Sequence, residues 1–272
     1  MKRQVSWLAW LFYLIGALYF IVPLFGTAVF SLQKKRGEIG LSAYQAAFAD
    51  PKFLETFLFS NVMAVFTILT SLLLIVPTAY WVHLRMPRWR SAVEFVTLMP
   101  FVIPAIVLVF GFIKMYSKPV TLFGVTIFPS LTTSNLSTNI LLICAYTVLA
   151  LPYMYRAVDN GLRAMDVRSL TEAAQSLGAG WGVILWRIIM PNLRSALLSG
   201  ALLTFAIVVG ELTIASFLAR PAFGPYLALL GNHRAYEPAA LAIVTFALTW
   251  VAMALIDLVT RGSQGGAMAG AR

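Results

Sequence analysis

The chain has 272 residues, 60% of them hydrophobic and only 11% charged, against about 25% charged in an ordinary soluble domain. That balance excludes a water-soluble globule and predicts an integral membrane protein. The formal charge of +10 does not point to nucleic acid, because the basic residues are scattered among short loops and form no patch with interleaved aromatics. The single cysteine, Cys144, lies in an apolar run, which excludes an internal disulfide or a cysteine zinc cluster and leaves a packing role.

Six segments are long and apolar enough to span a bilayer: residues 5–32, 57–82, 95–115, 140–155, 196–218 and 239–258. The first follows Lys2 and Arg3, but its apolar run far exceeds the roughly 7–15 residues of a signal peptide, so it is expected to stay as an anchor. The fourth is short, and is expected to continue through Arg156 with that side chain reaching the interface. Pro23, Pro77, Pro100, Pro104 and Pro152 lie in or beside spans, where each removes a backbone hydrogen bond. Kinked helices around a cavity and the general tolerance of membrane helices for proline both account for them.

A cytoplasmic N-terminus places twelve of the twenty basic residues inside, and the external Lys34, Lys35 and Arg36 weaken the bias most. Both termini are then cytoplasmic. The polar stretches between spans are too small for a separate core, so the expected organisation is an anchor helix with its external loop (1–56), a membrane domain (57–260) and a flexible tail (261–272).

The most informative polar stretch is 169–191. Leu170, Ala173, Ala174 and Leu177 fall at i, i+3, i+4 and i+7, one face of a short helix. Ser169 and Glu172 have the spacing of a capping box, and Gly178 is a natural helix stop. Trp181, Leu185 and Ile188 begin a second helical stripe that Pro191 interrupts. The pattern is helix, turn, helix, with two adjacent alanines able to enter a tight groove.

Glu172-Ala173-Ala174, three residues, Gly178, nine residues, Ile188, one residue and Met190-Pro191 together resemble the EAA loop of permeases from ATP-binding cassette importers. Met190 stands where that family usually has leucine, a change of similar volume and polarity. The resemblance implies an all-α integral membrane protein with six transmembrane helices, the type I importer permease fold and a cytoplasmic coupling helix. It implies alternating access in the bacterial inner membrane, with two cytoplasmic ATP-binding subunits, a second permease, identical or paralogous, and a periplasmic or extracellular substrate-binding protein. Ser169, Leu170, Glu172, Ala173, Ala174, Leu177, Gly178, Ile188 and Pro191 would form the ATPase-coupling element.

The chain itself carries no Gly-x-x-x-x-Gly-Lys-Ser/Thr loop and no Gly-x-Ser-x-Gly elbow, and His83 and His233 have no metal-ligand spacing. No enzyme, cofactor or metal site is expected. Glu211, in Gly-Glu-Leu-Thr-Ile-Ala-Ser, is the one acid well inside a span, and with Thr213 and Ser216 it marks a candidate translocation pathway. A gating residue and a structural hydrogen bond both fit it. The same segment and the span layout look most like the branch handling polyamines, 2-aminoethylphosphonate or ferric iron, with spermidine/putrescine first. The competing classes are a self-contained secondary carrier or channel and a membrane assembly factor.

Overall fold

The computed structural model describes residues 7–35, 38–122, 125–251 and 254. Lys2, Arg3, the far end of the sixth expected span and the tail 261–272 lie outside them. The chain divides into two compact units, residues 1–54 with 226–252 and residues 55–225 with 253–272.

In the first unit, α1 (Trp7–Ser31) is apolar all round, with almost every side chain exposed, as suits a helix whose solvent is lipid. A short hairpin of β1 (Gln33–Lys35) and β2 (Glu38–Ile39) follows, then α2 (Ser42–Ala49), which buries Ala43 and Ala47. The Ser31 and Tyr44 hydroxyls share a 2.7 Å hydrogen bond that ties α2 to the end of α1. Asp50 Oδ1 accepts the Lys52 N–H at the start of α3 (Pro51–Arg85), whose first residue, Pro51, sits where its missing N–H costs nothing.

The second unit is built around α6 (Asn135–Arg163). Leu142, Tyr146, Ala150, Met154, Val158 and Leu162 recur at intervals of four and are all buried. Packed on it are α3, α4 (Arg90–Val102), α5 (Ala105–Tyr116) and α10 (Arg194–Gly210). The approach of α10 is close because Gly161 and Gly200 have no side chains: a Cβ on Gly161 would stand 2.6 Å from Leu193 Cδ2 and 2.7 Å from Ala196 Cβ. Gly161→Leu should therefore force the two helices apart and cost about 1–3 kcal/mol, read as a lowered unfolding temperature in detergent.

Among the described residues three helices, α1, α3 and α6, are individually long and apolar enough to cross a membrane, and two bent pairs raise the number to as many as five. The expected third span breaks at Ile103–Pro104, where α4 and α5 meet at 102°. Proline has no N–H to continue the ladder and pushes the residue before it out of helical geometry. The expected fifth span is also interrupted: α10 ends at Gly210 and resumes as α11 (Thr213–Phe217). After α12 (Phe223–His233), α13 (Glu237–Val251) is a shorter apolar helix that reaches the edge of the described residues. The fourth span is longer than 140–155 and does run on past Arg156. Beyond the helices, β3 (Val120–Leu122) and β4 (Val125–Phe128) make a second small antiparallel hairpin.

Candidate coupling site

Two residues beyond the C-cap of α6, Asp166 opens α7 (Val167–Ser176). Its Oδ1 accepts the Ser169 N–H at 3.1 Å and its Oδ2 the Ser169 hydroxyl at 2.6 Å. The capping box expected from Ser169 and Glu172 is thus corrected: the cap lies three residues earlier, at Asp166, and Ser169 is its N3 partner. Glu172 accepts instead from Arg168 Nε, one turn away, at 3.1 Å. The Ser169 donors hold the Asp166 carboxyl below its ordinary value of 3.8. Its stabilisation of α7 is therefore complete above that value and fades as the pH falls through the lowered one. Amide protection across α7 should drop in acid in the native chain, and Asp166→Ala should be equally frayed at neutral pH and in acid.

At the other end the stop at Gly178 is as expected. Gly178 takes φ +80°, Ala179 N–H donates to Ala174 O at 3.0 Å and Gly178 N–H to Gln175 O at 2.9 Å, the paired bonds of a Schellman motif.

The rotation of α7 differs from the expected stripe. Val167, Thr171 and Ala174 face inward, Leu170 is half-buried, and Ala173 and Leu177 are exposed, Leu177 at 88%. Ala174 therefore leaves the face it was expected to share with Leu170, Ala173 and Leu177. A hydrogen bond sets this rotation: the Tyr80 hydroxyl of α3 lies 2.9 Å from Thr171 Oγ1, whose own proton is donated to Val167 O at 2.7 Å. Tyr80 is then the donor, and both groups are buried. The outward face is apolar, with Ala173 and Leu177 uncovered by the described residues and Leu170 half-buried at its edge.

The second helix of the loop comprises α8 (Trp181–Val183), a π turn (Ile184–Ile189) and α9 (Met190–Asn192). Ile184 and Ile189, five apart, are its fully buried residues, while Trp181 and Pro191 are exposed and Ile188 half-buried. The 3.6-residue stripe of Trp181, Leu185 and Ile188 is corrected accordingly, since a π turn brings residues five apart onto one face. Pro191, which cannot donate and whose ring crowds the preceding turn, lies two residues past the end of that widened turn, and the bend of 77° comes after Asn192. Trp181 meets Trp81 edge-on at 5.3 Å, and the Arg85 guanidinium stacks over both rings at 5.4 and 5.9 Å.

Sequence reasoning missed a buried ionic cluster beside this loop. Asp159, 4% exposed, accepts from His83 Nε2 at 2.8 Å, Arg90 Nη2 at 3.0 Å and Arg163 Nε at 2.7 Å. The i, i+4 pair of Asp159 and Arg163 was visible in the sequence, but the contributions of α3 and α4 come from far along the chain.

Glu211 caps the interruption between α10 and α11. Its carboxylate accepts the Ile214 N–H at 2.9 and 3.0 Å and the Ala215 N–H at 3.2 Å, and it is 8% exposed. The backbone here is crowded, because Gly224 passes so close that an added Cβ would overlap the Glu211 carbonyl. Thr213 is half-buried and Ser216 exposed, its hydroxyl donating to Leu212 O at 2.7 Å. The structure thus separates the sequence-predicted residues into the 169–191 loop and a broken helix about 25 Å away along α10, at 1.5 Å per residue.

A helical membrane domain with broken spans and a polar helix-turn-helix projecting from its core defines a transport permease class. Residues 75–264 match the family of binding-protein-dependent transport system inner membrane components, and the chain belongs to that family. It is 32% identical over 124 residues to the spermidine/putrescine transport system permease protein PotC of Haemophilus influenzae, covering 44% of this chain and 48% of that one. It is 24% identical to the PotB homolog of Mycoplasma genitalium across 94% of both chains. The match thus spans about half the length of the Haemophilus relative. Among solved structures, a bacterial ABC transporter involved in import of the acidic polysaccharide alginate superposes with a TM-score of 0.71 at 15% identity, covering 94% of this chain and 95% of that one. That likeness concerns the fold.

Proposed function

We propose that this chain is the membrane-spanning permease of an ATP-binding cassette importer, in which α7 docks into a cytoplasmic ATPase and passes its closing motion to the membrane helices. The observation that carries the reading is the division of α7 into two faces. Val167, Thr171 and Ala174 are buried against α3 and α6, whereas Ala173 and Leu177 stay exposed, with Leu170 half-buried beside them, between a fixed cap at Asp166 and a fixed stop at Gly178. Small residues on an exposed apolar helix face suit insertion into a groove. The partners are two ATP-binding subunits, a second permease and an external binding protein, with α7 and both termini on the cytoplasmic side.

A secondary carrier needs a titratable or ion-binding group free to cycle. Among the described residues the two buried carboxylates, Asp159 and Glu211, are both held by donors within the chain, which favours an external motor. Spermidine or putrescine is the first substrate by the resemblance to PotC and PotB. The same machinery serving 2-aminoethylphosphonate or ferric iron is the second reading, and relatives named for ferric iron and molybdenum transport show how widely this scaffold is shared. Uptake of radiolabelled spermidine by cells expressing the intact system, lost on deletion of this chain and competed by putrescine, supports the polyamine reading. Competition by aminoethylphosphonate or ferric ion alone would replace it.

A further inference from the structure

We propose that Asp159 is a positioning residue for transport, a clasp that makes the cytoplasmic ends of α3, α4 and α6 move as one body with α7. The inference rests on the importer reading and adds the route by which motion leaves the coupling helix.

The geometry concentrates that route at one carboxylate. The Asp159 side chain projects from α6 and is 6% exposed. It receives His83 from the last turn of α3, Arg90 from the first turn of α4, which reaches both oxygens at 3.0 and 3.2 Å, and Arg163 from α6 itself. A carboxylate only accepts, so His83 Nε2 carries the proton it shares. Three residues before His83, on the same end of α3, Tyr80 donates to Thr171 of α7. The α3 end is thus bound to the coupling helix through Tyr80 and to α4 and α6 through Asp159.

Apolar contacts between helices can slide with little change in energy. A buried carboxylate is different, because losing a donor leaves charge uncompensated in a medium that solvates it poorly. The three helix ends therefore keep their mutual positions when α7 is pushed, and the push is delivered to α4 as well as α3. A cavity of about 450 Å³, lined by His83, Arg90, Arg163, Asp166 and Arg168 among others, lies between the clasp and the cap of α7. The cap of α7 is therefore not packed directly on the clasp, and the link between them runs through Tyr80 and Thr171.

The test is amide hydrogen exchange on the whole complex, purified through a tag on this chain, compared without nucleotide and after trapping with ATP and vanadate. In the native complex trapping slows exchange in α7 and also changes it in the last turn of α3 and the first turns of α4. With Asp159→Asn the α7 response persists while the α3 and α4 responses fall below about a fifth of their native size. Arg90→Gln, which leaves His83 and Arg163 in place, loses the α4 response and keeps that of α3. If both variants retain the native responses in α3 and α4, the clasp is refuted. It is refuted equally if Asp159→Asn raises exchange to the same extent with and without nucleotide, since that is a stability effect alone. Should Asp159→Asn not accumulate, the α4 response of Arg90→Gln decides. The α7 response of the native complex reports docking separately, so failure of the importer reading would be seen there.

Discussion

Gly178→Leu should leave the protein in the membrane and reduce ATP-driven uptake by about 5- to 150-fold, the range of ordinary coupling energies between sites. Gly178 adopts φ +80° and has nothing within 4 Å of the position a Cβ would take, so the substitution meets open space within this chain. Its penalty lies in the backbone. A side-chain-bearing residue in that conformation costs about 1–2 kcal/mol, and relief comes by undoing the paired bonds from Gly178 and Ala179 that close α7. Leu177, the most exposed large apolar residue of the loop, is then re-aimed. Ala173→Leu should act in the same direction by another cause, since Ala173 is exposed and its added bulk meets only whatever docks there. Both variants are checked by uptake assays beside immunoblots of membrane fractions. Native uptake by Gly178→Leu with normal protein levels would remove the loop from the mechanism.

Glu211→Ala is the substitution expected to damage the fold most. It strips the acceptor from the Ile214 and Ala215 N–H groups at a buried helix break inside an apolar segment. Each unsatisfied buried donor costs about 1–3 kcal/mol, so the combined loss of about 2–6 kcal/mol is a large fraction of the roughly 5–15 kcal/mol that holds a domain folded, and membrane yield should fall. Glu211→Gln keeps one oxygen as acceptor and should be intermediate. That order, native above Gln above Ala in membrane yield, identifies a cap. Equal yields with altered substrate affinity would instead identify a residue that meets the solute.

Much of the 169–191 loop was legible in the sequence because its signals are local. Gly178 announced the helix end through the positive φ that glycine alone adopts cheaply, and the apolar positions of 170–177 announced a short helix. The rotation of that helix was not legible, because a hydrogen bond from Tyr80, ninety-one residues away, draws Thr171 inward. Nor was the cap, since Ser169 with Glu172 and Asp166 with Ser169 are both acceptable local solutions and tertiary packing chose the second. The breaks at Ile103–Pro104 and Glu211 interrupt runs of apolar composition that read as continuous spans. At Glu211 the acid itself was the visible sign, but that its partner is the next helix's own backbone required the fold. The π turn of residues 184–189 defeated a stripe drawn at 3.6 residues per turn, and Asp159 was hidden because the clasp draws its residues from three different helices.

The most direct test of the coupling mechanism places a photo-crosslinking residue at Ala173 in the full-length chain, expressed with its natural partners in intact cells. Illumination should join this chain to a cytoplasmic subunit carrying a P-loop, with the yield changing when ATP is depleted. Crosslinks only to lipid or to proteins outside the cell, or labelling of α7 by a membrane-impermeant reagent added externally, would contradict the coupling of this helix to an ATPase.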